Sequence, residues 1–225
     1  MSLQNATLAA FDLGGVLLAP KTGSWYLTEP VEQFLRGLGQ GSKDIEGAVS
    51  FAKECTAHRI FAKTLDDEQA IYHEFYKNFF AHLCPEEPVS EQQIGAFSKY
   101  RVHSHEQYLW DLQAIETIRT LSGFIDTALF SNTWPSIVAA LRRGKILDAF
   151  SYAFLSCDAG MKKPDPRFFA TLSEQTHRCP GEIVLYDDSP QNIRMALSLG
   201  FQARTVSFGS LSSIVSEDFR EEQQC

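Results

Sequence analysis

The sequence predicts a doubly wound α/β fold built on a parallel sheet and interrupted by one long helical insertion. Three observations carry this prediction. Short apolar runs rich in β-forming residues recur in the second half of the chain. Helical segments that each open on a proline, where a missing N–H does no harm, alternate with those runs. Between the first apolar run and the second, from Pro20 to Ser122, the chain reads as helix after helix. With 225 residues, 44% of them hydrophobic, there is enough apolar material for a large interior.

The first strand lies in Leu8–Leu13, within AAFDLGGVLL, where Asp12 stands alone among apolar residues and is followed by two glycines. A buried, unpaired carboxylate is costly, so Asp12 belongs at the strand end, where it meets solvent, a cation or a substrate. Helices are then predicted over Glu29–Leu38, Lys43–Phe61, Asp66–Leu83, Glu91–His103 and Tyr108–Leu121, with breaks at Gly39–Gly41 and Pro85–Pro88 and no strand among them. The alternating pattern resumes with strands Asp126–Ser131, Tyr152–Ser156, Ile183–Tyr186 and a weaker Ala203–Val206. The helices Pro135–Arg143, Pro166–Gln175 and Pro190–Leu199 separate them. The predicted core is therefore 1–19 with 107–225, and the insertion is 20–106. The polar tail Glu217–Cys225 is expected to fray.

A formal net charge of -8 argues against a broad nucleic-acid or anionic-membrane surface, although a local cationic pocket can still hold phosphate. The five cysteines are widely spaced, odd in number and lack any C-x-x-C pattern. They suggest neither a disulfide framework nor a zinc site, and they fit a reducing cytoplasm. No uncharged run reaches membrane-spanning length, and the first apolar run, broken by Asp12, lacks the order of a signal peptide.

Three later segments carry chemistry. The strand DTALF runs into Ser131-Asn132-Thr133, Lys163 precedes Pro164 after the strand YAFLS, and IVLY runs directly into Asp187-Asp188. In a parallel α/β sheet the carboxyl ends of the strands share one edge, and ligands bind there. Asp12, Ser131, Lys163 and the Asp187-Asp188 pair would thus converge. Three carboxylates together repel unless a cation neutralises them, and hard oxygen donors suit Mg2+. Such a cation would keep Asp12 ionised as a nucleophile, leaving Ser131 and Lys163 to hold phosphoryl oxygens.

These four motifs in this order resemble those of the haloacid dehalogenase (HAD) superfamily: Asp12 in FDLGGVL, Ser131 in SNT, Lys163 in KKPDP, and Asp187-Asp188 in YDDSPQNI. The subgroup they resemble includes bacterial sugar-phosphate phosphatases and the N-terminal phosphatase half of soluble epoxide hydrolase. The resemblance covers almost the whole chain and implies a Rossmann-like core with a helical cap inserted after the first motif. It implies a Mg2+-dependent phosphatase acting on a small phosphorylated metabolite, such as a sugar phosphate, through an aspartyl-phosphate on Asp12. Ser131, Asn132, Lys163 and Gly15 would contact the phosphoryl group. The metal would be held by Asp12, the Gly14 carbonyl, Asp188 and Asp187. Neither nucleic acid nor membrane is implied as a partner, and the motifs do not distinguish a monomer from a dimer.

One position departs from the pattern. Most phosphatases of the superfamily carry a second Asp two residues after the nucleophile, as general acid and base, where this chain has Gly14. Such a proton shuttle contributes about 10²–10⁴-fold in rate. Two alternatives follow: a 2-haloacid dehalogenase, since those relatives also lack the second Asp, or a non-catalytic module that binds a phosphorylated ligand. The Asp187-Asp188 pair favours phosphate chemistry, because displacing halide needs no metal.

Among the remaining residues, Asp165 before Pro166 reads as a helix cap, and Asn192 is placed to orient the acidic pair or Lys163. His103 and His105 read as the polar end of an inserted helix. Tyr72, Phe75, Tyr76, Phe79 and Phe80 have the spacing of an insertion core. Trp25, Tyr26 and Trp134 are candidates for shaping a substrate pocket.

Overall fold

The computed structural model describes residues 5–39, 41–59 and 61–219. Contacts divide the chain into two compact units. One contains the chain up to Ala19, Trp110–Thr133 and the described residues from Val138 onward; the other contains Pro20–Leu109 together with Trp134–Ile137.

The first unit is an α/β sandwich. Its sheet is formed by β1 (Leu8–Phe11), β4 (Asp126–Ser131), β5 (Tyr152–Leu155), β6 (Ile183–Asp187) and β7 (Gln202–Thr205) in the order β5-β4-β1-β6-β7. Every pairing is parallel. All four residues of β1 are buried, as expected of a central strand covered on both faces. One face packs around Phe130, which touches the rings of Phe168 and Phe169 at 4.6 and 5.1 Å. Truncating so buried a ring costs about 3–5 kcal/mol. On the other face Phe11 stacks on Tyr186 at 5.0 Å.

The second unit is helical: α1 (Glu29–Leu38), α2 (Ser42–Thr56), α3 (Leu65–Leu83) and α4 (Glu91–His103). A capping box starts α3, with Asp67 N–H donating to Thr64 Oγ1 at 3.1 Å and Thr64 N–H donating to Asp67 Oδ2 at 3.0 Å. The predicted aromatic series on α3 forms the core of this unit, with Phe79 against Phe80 at 4.9 Å and Phe80 against Phe97 of α4 at 5.5 Å. His103 ends α4, and its Nε2 lies 3.2 Å from Gln69 Oε1.

Several elements differ from the sequence expectations. Two short strands that the sequence reading does not include, β2 (Leu18–Pro20) at the start of the insertion and β3 (Tyr108–Trp110) in the stretch expected to be helical, pair as a separate ribbon. The helix predicted over Tyr108–Leu121 therefore begins later, as α5 (Leu112–Leu121), because Asp111 Oδ1 accepts the Ala114 N–H at 3.0 Å and caps it there. The second helix stops at Thr56 rather than Phe61. Its Thr56 hydroxyl bonds back to Ala52 O at 2.9 Å, and the Ala57 N–H closes a tighter turn onto Glu54 O.

Core helices α6 (Pro135–Arg143), α8 (Pro166–Thr176) and α9 (Pro190–Ser198) open on the predicted prolines. Ser156, read as a strand end, instead opens the short α7 (Ser156–Ala159). The helix α10 (Leu211–Asp218) was not anticipated. Its last residue, counted with a fraying tail, accepts from Tyr186 Oη at 2.9 Å and from Arg204 Nε at 3.1 Å. The rest of that predicted tail, from residue 220, lies outside the described residues.

Candidate active site

The strand register assembles the site. Phe11 is level with Leu129 of β4 and Tyr186 of β6, so the next residue, Asp12, emerges beside Phe130 and Asp187, with Ser131 one step beyond. All lie at the carboxyl edge of the sheet, where the strand order reverses around β1. The Asp12 N–H donates to Tyr186 O at 2.9 Å and holds this exit from β1.

Lys163 links the acids. Its ammonium donates to Asp12 Oδ1 at 2.9 Å, to Asp187 Oδ2 at 2.6 Å and to the Phe130 carbonyl at 2.7 Å. An ammonium has three protons, so a contact with a further anion requires one of these bonds to be shared or exchanged. Asp187 is fully enclosed. Asn192 Nδ2 lies 2.9 and 3.0 Å from its two oxygens, and the Ser189 N–H donates to Oδ1 at 2.8 Å. Asn192 thus orients the acidic pair through Asp187. Asp188, next in the chain, is exposed.

Asn132 has a task beyond those read from the sequence. Its Oδ1 accepts the Lys163 N–H at 2.7 Å, and its Nδ2 donates to Lys163 O at 2.9 Å, so the amide fixes the main chain that carries the lysine. Ser131 is buried at the end of β4, and among the described residues its hydroxyl makes a long 3.5 Å contact, to Asn132 O. Ser156 was missed as part of this assembly. It accepts the Thr133 N–H at 2.9 Å and braces the loop after β4, a pairing across strand ends that no local pattern signals. Asp165 caps α8 through the Arg167 N–H, as its position before Pro166 indicates. Gly14 forms an isolated bridge with Leu18 inside a tight turn closed by Leu17 and Leu18 N–H groups on Leu13 O.

The electrostatics follow from the geometry. Burial pushes the Asp12 carboxyl above its ordinary value, the Lys163 ammonium opposes this, and Asp187 adds to it. Asp188 is pushed up to about 6 by partial desolvation and then by its acidic neighbours Asp12 and Asp187. One oxygen from each of Asp12, Asp187 and Asp188 lies within 4.8 Å of the others. Three carboxylates against the single Lys163 ammonium leave two excess negative charges when all are ionised, a hard donor set that fits a divalent cation.

The proposed pocket aromatics lie in the helical unit. Trp134 sits 5.5 Å from Tyr72, Tyr26 stacks on Phe75 at 5.0 Å, and Trp25 lies 6.3 Å from Tyr108. Among the described residues no helix is long and apolar enough to cross a membrane.

Comparison with known proteins agrees with this architecture. The family model of haloacid dehalogenase-like hydrolases matches residues 6–200. The chain is 25% identical over 211 residues to bifunctional epoxide hydrolase 2 of Sus scrofa, a match covering 85% of this chain and 35% of the pig protein. It is 34% identical over 56 residues to flavin mononucleotide hydrolase 1 of Arabidopsis thaliana, covering 25% of this chain and 23% of that one. The chain thus spans about a third and about a quarter of these curated relatives.

Among solved structures, a HAD family enzyme from Bacteroides thetaiotaomicron superposes with a TM-score of 0.63 at 23% identity, covering 94% of this chain and 98% of the other. The same enzyme has been solved in complex with magnesium and inorganic phosphate, at a TM-score of 0.55 and 20% identity, covering 91% of this chain and 96% of the other. L-2-haloacid dehalogenase from Xanthobacter autotrophicus superposes at 0.61 with 15% identity, covering 89% and 77% of the two chains. These neighbours share the α/β fold, and with the family model spanning residues 6–200 the chain belongs to the haloacid dehalogenase-like hydrolases.

Proposed function

We propose that the chain is a Mg2+-dependent phosphatase that hydrolyses a small phosphomonoester through an aspartyl-phosphate on Asp12. The observation that carries this is the acidic trio: Asp12, Asp187 and Asp188 offer oxygens within 4.8 Å of one another, an arrangement a halide displacement does not need. Relatives support it, through the magnesium and phosphate complex of the Bacteroides enzyme and the flavin mononucleotide hydrolase of Arabidopsis. In this reading Asp12, Asp188 and the Gly14 carbonyl hold the cation, with Asp187 bound directly or through water. The cation supplies charge neutralisation and polarisation of phosphoryl oxygens.

The chain's own groups then act in sequence. The Asp12 carboxylate attacks phosphorus, and the bond to the leaving oxygen breaks. No side chain at Gly14 protonates that oxygen, so solvent supplies the proton or a weakly basic leaving group departs as its anion. Ser131 donates to a phosphoryl oxygen, joined by Lys163 as it exchanges a carboxylate contact and by the backbone at Gly15. Asn132 holds the lysine in place through its main chain. Water attacks phosphorus next, the Asp12–phosphorus bond breaks, and phosphate leaves with Asp12 restored. The helical unit is proposed as a cap that excludes water during these steps, and a reducing cytoplasm is proposed as the compartment, a reading the cysteine pattern supports.

The test is phosphate release from p-nitrophenyl phosphate, whose leaving group needs little protonation, with Mg2+ present. Wild-type protein is expected to turn over, with Asp12→Asn at background. Release by Asp12→Asn equal to wild type would refute the nucleophile. Gly14 favours the alternative of a 2-haloacid dehalogenase, which would instead release halide from 2-chloropropionate in excess EDTA.

A further inference from the structure

Glu68 is a carboxylate with no solvent exposure in the first turn of α3, and the reaction described above does not use it. Its Oε2 accepts the Ser136 N–H at 2.8 Å, and its Oε1 accepts the Ser136 hydroxyl at 2.6 Å. Burial raises its carboxyl above the usual range, opposed by those Ser136 bonds and by the nearby Arg101 guanidinium. Keeping a carboxylate there is costly, so its partner is informative. Ser136 lies in the first turn of α6, where N–H groups have no intrahelical acceptor. The residue just before that helix is Trp134, whose side chain offers no oxygen to cap it. Glu68 supplies the missing acceptor from 68 residues away.

A second contact acts on the same segment. Tyr72, four residues after Glu68 and on the same face of α3, lies 5.5 Å from the ring of Trp134. Tyr72 is itself held by Arg101, whose Nη2 donates to its hydroxyl at 2.8 Å and whose Nε donates to Trp25 O at 3.2 Å. Trp134–Ile137 accordingly clusters with the helical unit. Upstream, Asn132 is fixed to Lys163 and the Thr133 N–H to Ser156. The segment after Ser131 is therefore pinned at four successive points, two of them supplied by α3.

We propose that Glu68 is a positioning residue for the Ser131-Asn132 loop, acting through its paired hydrogen bonds to Ser136. Its consequence for turnover rests on the phosphatase reading above, while the placement of the loop does not. Displacing a phosphate-holding hydroxyl by about 1 Å costs up to about 10²-fold in rate.

The experiment compares Glu68→Ala, Glu68→Gln and Ser136→Ala with wild type, at a temperature where thermal melts show each folded. It reads kcat on p-nitrophenyl phosphate and hydrogen exchange of the peptide covering residues 131–137. Gln at position 68 keeps both bonds: its oxygen accepts the N–H and its amide donates to the hydroxyl oxygen. It also removes the charge that faces Arg101. Glu68→Ala is expected to lose about 10- to 100-fold in kcat and to exchange faster in that peptide; Glu68→Gln should recover most of both. Ser136→Ala, which folds more readily than a cavity at Glu68, should fall between them.

Wild-type exchange in Glu68→Ala or Ser136→Ala overturns the proposal. So does a Glu68→Gln variant as impaired as Glu68→Ala, since the charge and not the bond pair would then matter. Absence of Asp12-dependent phosphate release in wild type would refute the phosphatase reading instead, and the exchange data would still decide the role of Glu68.

Discussion

At Gly15 the backbone turns with φ at +75°, and a Cβ built there falls 2.1 Å from Asp188 Oδ2. Two separate demands thus meet on one residue: a left-handed conformation and a close approach of the Asp188 carboxylate. Gly15→Ala should cost about 1–2 kcal/mol in the turn and, more tellingly, push the Asp188 carboxylate out of the trio. The expected outcome is at least a tenfold loss of Mg2+-dependent phosphate release in a protein that still melts cooperatively; unchanged activity would show that Asp188 is free to move without consequence. The residue types at this site were readable because carboxylates at apolar strand ends, and a lysine in the loop before a proline-led helix, are chemically conspicuous. Their division of labour was not. Asn132 reads as a phosphate contact in sequence; its amide also bonds the Lys163 main chain at both ends, a contact across 31 residues that no local pattern signals. Ser156 and Glu68 give no local signal, because each acts on a segment distant in the chain.

Elements were legible in proportion to how locally they are specified. Helices that begin on proline, Pro135–Arg143, Pro166–Thr176 and Pro190–Ser198, start where the sequence indicates, and the strand Asp126–Ser131 matches at both ends. The ribbon of β2 and β3 was invisible because three-residue strands lack a period to read and depend on a partner about ninety residues away. The boundary it hides is set by Asp111, which caps α5 at the Ala114 N–H and also accepts the Gly209 N–H at 3.1 Å. Asp111→Ala removes both acceptors and is expected to lower unfolding free energy by about 1–2 kcal/mol in urea denaturation while leaving kcat unchanged. A loss below a few tenths of a kcal/mol would mean that water replaces both contacts.

On the scale of the whole molecule, the proposed cation site makes metal binding, pH and folding interdependent. Without a cation, Asp188 has a folded-state pKa of about 6 against an ordinary value of 3.8. Between those values the folded state binds more protons than the unfolded chain, so metal-free stability falls as pH rises through this window, and the full penalty applies above about 6. Asp188→Asn should therefore raise the Tm of EDTA-treated protein at pH 7, with the gain vanishing at or below pH 4. A cation held by the trio, as proposed, would reverse the sign. It would bind the ionised carboxylate, stabilise the fold by mass action and compete with protons for the same oxygen. Added Mg2+ should thus raise the wild-type Tm at pH 7, with apparent affinity about tenfold weaker at pH 5, where Asp188 is mostly protonated. Asp188→Asn should abolish most of that shift. Thermal melts of both proteins in EDTA and in Mg2+, at pH 4, 5 and 7, separate the alternatives. A Mg2+ shift of equal size at pH 5 and pH 7, or one retained in full by Asp188→Asn, would place the cation away from Asp188 and remove the trio as its site. A metal-free gain at pH 7 together with a lost Mg2+ shift would tie both effects to the one carboxylate.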